Sequence, residues 1–331
     1  MRWELGCKKV RCTCFRFAAK IVFDSRFASP PTSRPIFMSD PAQVLRDFTP
    51  TKPFFIGIDS DGCIFDSMEI KHKECFTPMF VKNFHLQAVS KYAREVWEFV
   101  NLYSKDRGAN RFPALVRAIK LLGVRPQVQA RHVQMPDITG LEDWIQRETK
   151  LGNATLNNEV KGGNQSLAHI KVWSDAVNKA VEDIVHGVPP FPLVRETLEK
   201  MTALADCMCI SQTPTDALKR EWSEHGIDGF VKIIAGQEMG TKTEHLKFAA
   251  APKYEPEKIL MIGDAPGDFK AAKGNQALFF PIVPGNEEAS WERLFNEALD
   301  RFFAGTYAGA YEAELVKEFD ASLPEHPHWK H

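Results

Sequence analysis

The chain reads as an α/β protein built on a doubly wound parallel sheet, with a long helical insertion after its first strand. Three observations predict this. Short apolar, β-prone runs are each followed by a polar turn and a helix start, the alternation that builds parallel sheets. Each run gives way to a charged or hydroxyl-bearing segment, as strands do where their carboxyl ends frame a site. Between Ser67 and Gly187, by contrast, apolar residues recur only at three- and four-residue spacing.

The first run, Phe54-Phe-Ile-Gly-Ile58, stops at Asp59-Ser-Asp61, and Gly62 lets the chain leave sharply without a Cβ clash. A buried strand thereby delivers two carboxylates to one place. A calcium loop is excluded here, because counting from Asp59 its sixth and twelfth positions are Ile64 and Ile70, where glycine and glutamate are needed.

The second run, Asp206-Cys-Met-Cys-Ile-Ser211, leads into Gln212-Thr-Pro-Thr-Asp216, in which Thr213 is the expected N-cap and Pro214 the first helical residue. Ser211 either offers its hydroxyl beside free helix N–H groups to a phosphate oxygen or simply ends a strand. The third run, Val231 to Ala235, precedes a helix that opens near Lys242. A cation in a first turn opposes the helix dipole, so Lys242 points to a nearby anion. Lys247 is its rival, but five positions turn a helix by roughly 140°, and the lysine nearer the strand end is favoured. The fourth run, Lys258 to Ile262, enters Gly263-Asp264-Ala-Pro-Gly-Asp268, with Pro266 placed to start a helix and Asp268 following in its first turn.

Four strand ends in succession carry Asp-x-Asp, Ser, Lys and Gly-Asp-x-x-x-Asp. In that order and chemistry the chain resembles the haloacid dehalogenase-like (HAD) superfamily of phosphatases and phosphotransferases. Asp59 to Ser67 resembles the first motif, Ser211 the second, Lys242 the third and Gly263-Asp264 to Asp268 the fourth, so the resemblance covers roughly residues 52–68 and 188–290. Cys63 departs from the pattern, which more often has Thr or Val there; the position is one of packing.

The resemblance implies a Rossmann-like core and makes the insertion a helical cap that closes over the strand ends, excluding water and contacting substrate. It also implies roles. Asp59 attacks phosphorus to give an aspartyl-phosphate, and Asp61 donates a proton to the leaving oxygen and then takes one from water. Repulsion between the two carboxylates is expected to raise the proton affinity of one and suit Asp61 to acid work. Mg²⁺ is expected on Asp59, the main-chain carbonyl of Asp61 and Asp264, with Asp268 as a further ligand or a support. Ser211 and Lys242 would hold phosphoryl oxygens. Dehalogenases lack a carboxylate at the position of Asp61, and phosphonate-cleaving relatives typically replace it. The expected activity is therefore a Mg²⁺-dependent phosphatase acting on a small phosphorylated metabolite. A phosphomutase is the alternative, ahead of a dehalogenase or a non-catalytic protein of this fold.

The segments divide as a core of residues 38–68 and 188–305, a cap of 69–187 and a helical tail of 306–331. Within the cap, helical patterns run over Gln87 to Tyr103, Ala114 to Leu122, Leu141 to Lys150 and Ser166 to His186. The loop Tyr103 to Pro113 carries Arg107 and Arg111, which either grip an anionic or hydroxylated substrate or form structural ion pairs. Lys71 and His72, at the cap entry, are further substrate-binding candidates. Glu325 to His331 is expected to fray, and His326, His328 and His331 are not expected to form a metal site.

Composition bounds the rest. With 331 residues, 44% hydrophobic content and a formal net charge of −1, the chain fits about two domains and lacks the basic footprint of a nucleic-acid binder. No apolar run approaches the roughly 18–20 residues of a membrane span. Seven cysteines read as reduced packing residues, and a cytoplasmic home is the simplest inference. Residues 1–37 are basic and resemble either a transit-like leader or, preferably, an upstream extension of a chain starting at Met38. Cys7, Cys12 and Cys14 have no His partner there for a zinc site.

Overall fold

The computed structural model describes residues 40–329. The basic segment, its three cysteines, the expected start at Met38 and His331 therefore lie outside the described residues. Five strands form one sheet: β1 (Phe54–Ile58), β2 (Ala205–Ile210), β3 (Ile233–Ala235), β4 (Ile259–Gly263) and β5 (Leu278–Pro281). Their order is β3-β2-β1-β4-β5 and every pairing is parallel. Parallel neighbours need crossovers, and the helices that supply them cover both faces.

Alternation along the strands sorts the core into two layers. Ile56, Ile58, Cys207, Cys209, Leu260 and Ile262 pack one way with Trp222 and Trp291. Phe55, Met208, Ile210, Met261 and Phe279 pack the other way with Leu246 and Phe319. In the middle of β1 a Cβ on Gly57 would sit 2.6 Å from Ile210 Cδ1, so a larger residue there would have to displace that buried side chain. Cys63 is fully buried and its carbonyl accepts a hydrogen bond from Trp291 Nε1 at 2.8 Å, a packing role. Cys63, Cys75, Cys207 and Cys209 are all free thiols.

The register sets the working edge. Ile58 lies beside Cys209 and Ile262, so Asp59, Ser211 and Asp264 emerge at the same rim. Between β1 and β2 the described chain is helical. A third apolar cluster is assembled from this insertion, with Trp97, Trp144 and Trp173 fully buried among Phe76, Phe80 and Phe112. The main insertion helices are Ser90–Leu102, Arg111–Gly123, Thr139–Arg147 and Ala168–Ile184; Asn153–Lys161 is an additional helix that the spacing did not reveal. That helix buries only Leu156, too little apolar signal to register a period.

The tail differs from expectation. After the helix Ala310–Ser322, the chain packs against the cap instead of fraying. Trp329 stacks edge-on to Phe99 at 5.4 Å, Arg125 lies over its ring at 4.5 Å, and Arg117 donates to the Glu325 carbonyl. A terminal aromatic with a cationic platform beneath it has reason to stay seated.

Candidate active site

Asp59 follows β1 directly, and its N–H continues the ladder by donating to the Ile262 carbonyl at 3.0 Å. The residue is 4% exposed. Oδ1 accepts from Ser60 N at 2.8 Å and Oδ2 from Lys242 Nζ at 2.5 Å. Lys242 begins the helix Lys242–Ala249, whose start is fixed by a capping box between Thr241 and Glu244. The ammonium also donates to Asp268 Oδ1 at 2.6 Å, while Lys247 is exposed. The anion that the unfavourable position of Lys242 called for is thus a pair of aspartates.

Asp268 lies in the helix Pro266–Gly274 and its second oxygen accepts from Ala265 N at 3.1 Å. Asp264 leaves the end of β4. One carboxylate oxygen from each of Asp59, Asp264 and Asp268 lies within 4.8 Å of the others, and all three residues are buried. Burial pushes the carboxyls of Asp59 and Asp268 up to about 6 despite the Lys242 ammonium, and burial raises Asp264 as well. Burial alone would lower Lys242, but the charges of Asp268 and Asp59 more than reverse it. Asp264 Oδ1 is buried with no hydrogen-bond partner. A buried cluster of three carboxylates against two cations, Lys242 and Arg107, holding an orphaned carboxylate oxygen, fits a divalent cation.

Asp61 behaves differently from the sequence expectation. Burial pushes its carboxyl up, but the Lys71 ammonium, Ser67 Oγ and Thr213 Oγ1 together hold it at about 2. Thr213 donates to Oδ2 at 2.7 Å; Lys71 and Ser67 both donate to Oδ1. A local cation, invisible in the Asp-x-Asp spacing, with the two hydroxyls, outweighs burial. The same contact explains a small shift in the next helix. Thr213 is not its N-cap, for its hydroxyl is drawn to Asp61, and the helix runs Thr215–Glu224 with Pro214 before it.

A cavity of about 820 Å³ opens in front of these groups. Asp59, Asp61, Ser211, Lys242 and Asp264 line it from the sheet side, and Lys71, His72 and Arg111 from the cap. Ser211 is nearly buried; its N–H donates to the Ala235 carbonyl and its Oγ accepts from Thr213 N at 3.2 Å. Lys71 and His72 sit in a π-helical turn, Lys71–Phe76. His72 is stacked on Phe76, its Nδ1 accepts from Trp97 Nε1 at 3.1 Å, and burial holds its pKa down at about 3. The ring is therefore neutral, with its proton on Nε2.

The two loop arginines part company. Arg111 donates to Asn178 Oδ1 at 2.7 Å and Ser174 Oγ at 3.2 Å, lies over Phe76, and burial lowers its pKa to about 10 with no carboxylate beside it. Arg107 does not line the cavity. It is buried against Asp264, Nε to Oδ2 at 2.7 Å, with side-chain exposure of 2% on both partners. Asp268 also stands behind the cavity wall. Glu221 was not foreseen: it lines the cavity from the helix Thr215–Glu224, and burial together with Asp61 pushes its carboxyl up to about 7. As one polar residue on an amphipathic helix it carries no motif.

A sheet with carboxylates gathered at its rim beneath an inserted helical cap defines an enzyme of the α/β class. Residues 141–280 match the family model described as haloacid dehalogenase-like hydrolase, a span that holds Ser211, Lys242, Asp264 and Asp268 and leaves out Asp59. Over that span the chain is similar to the haloacid dehalogenase-like hydrolases. Among solved structures it is similar to a haloacid dehalogenase-like hydrolase from Streptococcus pneumoniae, at 14% identity over 74% of this chain and 91% of that one, TM-score 0.39. A haloacid dehalogenase-like hydrolase from Xanthomonas campestris matches at 12% identity over 76% and 97%, TM-score 0.37. A predicted phosphoglycolate phosphatase from Haemophilus somnus 129pt matches at 16% identity over 70% and 86%, TM-score 0.41. No curated protein matches the chain. No described helix is long and apolar enough to cross a membrane.

Proposed function

We propose that the protein is a Mg²⁺-dependent phosphatase that hydrolyses a small phosphorylated metabolite through an aspartyl-phosphate on Asp59. The carrying observation is that Asp59, Lys242, Ser211 and Asp264 face one cavity from the sheet rim while a cap covers it. A phosphate monoester resists attack because its oxygens are anionic, so a catalyst needs an in-line nucleophile and positive charge around the phosphoryl group. Asp59 supplies the first. Lys242 and the Ser211 hydroxyl meet phosphoryl oxygens, and the carboxylate of Asp59 forms the new bond to phosphorus as the substrate oxygen leaves.

Asp59, the main-chain carbonyl of Asp61, and Asp264 would hold the cation, with Asp268 as a further ligand or a support. Mg²⁺ suits an all-oxygen set and supplies charge neutralisation at the transferring group. The proton for the leaving oxygen comes from the Lys71 ammonium and is relayed by Asp61, which ends the step ionised with Lys71 neutral. Asp61, ionised, then accepts one from the water that hydrolyses the aspartyl-phosphate. Arg111 and the Nε2–H of His72 face the substrate from the cap, where a guanidinium without a carboxylate partner suits an anionic or hydroxylated group.

A phosphate-release screen over phosphorylated metabolites with Mg²⁺ tests the proposal. Release from at least one of them is expected, and Asp59→Asn is expected to abolish it. Release that survives Asp59→Asn at the wild-type rate would remove Asp59 as nucleophile.

A further inference from the structure

The cap places a cation of its own on the carboxylate cluster. Arg107 is held from both sides: Nη1 donates to the Leu102 carbonyl at 2.9 Å in the cap, and Nε to Asp264 Oδ2 at 2.7 Å in the core. Two glycines make room for this. Gly62 has φ +73°, and a Cβ there would fall 2.5 Å from Asp264 Oδ2 and 2.6 Å from Arg107 Nη2. Gly108 has φ +74°, and a Cβ there would come 2.8 Å from Ala265 Cβ, so the loop backbone lies directly on the turn that carries Asp264. Arg107 thus takes one oxygen of Asp264 and leaves Oδ1 without a partner.

We propose that Arg107 is a cap-borne counter-ion whose hold on Asp264 opposes the filling of the metal site, so that metal loading and seating of the cap loop work against each other. The inference rests on reading Asp59, Asp264 and Asp268 as the cation site. Two effects of Arg107 on that site compete. By orienting Asp264 it favours the cation, and partners of this kind are worth roughly 10- to 100-fold in affinity. By placing a full positive charge on the same carboxylate it disfavours the cation, and both side chains are almost free of solvent, where charges are least screened. The charge effect prevails. Linkage is reciprocal, so the cation loosens the Arg107 contact by the factor that Arg107 weakens the cation.

The test is calorimetric titration of the full chain with Mg²⁺ alone. Arg107→Gln is expected to bind about tenfold or more tightly than wild type, and Arg107→Lys, which keeps the charge, within about threefold of wild type. A merely structural role for Arg107 would lower the melting temperature of Arg107→Gln and leave its Mg²⁺ affinity unchanged; that result, or weaker binding, overturns the proposal. Tightening by Arg107→Lys equal to that of Arg107→Gln overturns it too. Hydrogen exchange on the wild-type chain needs no variant. The amides of Arg107 and Ala109 bond to the Ser104 and Asp106 carbonyls, and Mg²⁺ is expected to speed their exchange, whereas slowing sinks the proposal. A wild-type chain that binds no Mg²⁺ would instead overturn the cation site itself, and the inference with it.

Discussion

Lys71 decides which proton Asp61 can handle. Without the ammonium, burial is the largest remaining influence on that carboxyl and would lift it, against the bonds from Ser67 and Thr213 that remain. Lys71→Met is therefore expected to shift the acid limb of the pH–rate profile for phosphate release to higher pH, because the second step needs Asp61 ionised. The expected loss in kcat at pH 7 is about a hundredfold, at the low end of the general acid–base range, with recovery as pH rises. An unmoved acid limb would show that Asp61 takes no proton in the limiting step. The Asp-x-Asp spacing marks both carboxylates because a strand end and a glycine leave little choice of direction. It says nothing of Lys71 or Thr213, which meet Asp61 only through tertiary packing. Arg107 illustrates the same limit: a polar, glycine-containing loop reads as a substrate grip, and only its docking on Asp264 reveals an ion pair.

At the scale of elements, the cap has its own core, and one titratable group is built into it. His72 stacks on Phe76 and accepts from Trp97, so charging it would desolvate a cation, add to the nearby positive charge of Arg107, Lys71 and Arg111, and turn the Trp97 contact into donor against donor. Its folded pKa lies below its unfolded value, so the unfolded chain binds the proton first. Its stabilising contribution is complete above about pH 6.5. It is lost as pH falls from there toward about 3. The slope expected from this one group within the window is about 1.4 kcal/mol per pH unit. Unfolding by denaturant across pH 4–7 checks this: His72→Gln, which still accepts from Trp97 but does not titrate, is expected to flatten that part of the profile. The helical periods of the cap were legible because tryptophans and phenylalanines recur at three and four positions. The π-helical turn that aims Lys71 and His72 was not, since one extra residue in a turn leaves no mark in a period.

Across the whole molecule, the parallel sheet was readable because its strands are apolar on both faces and each is followed by a polar turn. The binding of the sheet's far end was not readable. Asp206, near the start of β2, read only as the edge of an apolar run, yet it is fully buried. It accepts hydrogen bonds from Thr51 N, Thr51 Oγ1, Lys52 N and Tyr254 OH, at 2.5 to 2.9 Å. Burial pushes this carboxyl up, and those bonds outweigh it and hold the group below the usual range. The residue thereby clamps the segment entering β1 and the loop before β4 to the end of the sheet opposite Asp59. Asp206→Asn loses a charged acceptor and points an amide N–H₂ at donors, a change worth about 3 kcal/mol. Denaturant unfolding at pH 7 is expected to show that loss, while kcat/KM for phosphate release stays near wild type because Ser211 ends the same strand at the other rim. The sign with pH is opposite in reach to that of His72. A depressed carboxyl stabilises fully above its unfolded pKa of about 3.9 and loses that stability only below it, so the gap between Asp206→Asn and wild type is expected to stay constant from pH 7 to 5 and close in stronger acid. A gap that closes near pH 6 would assign the clamp to another group.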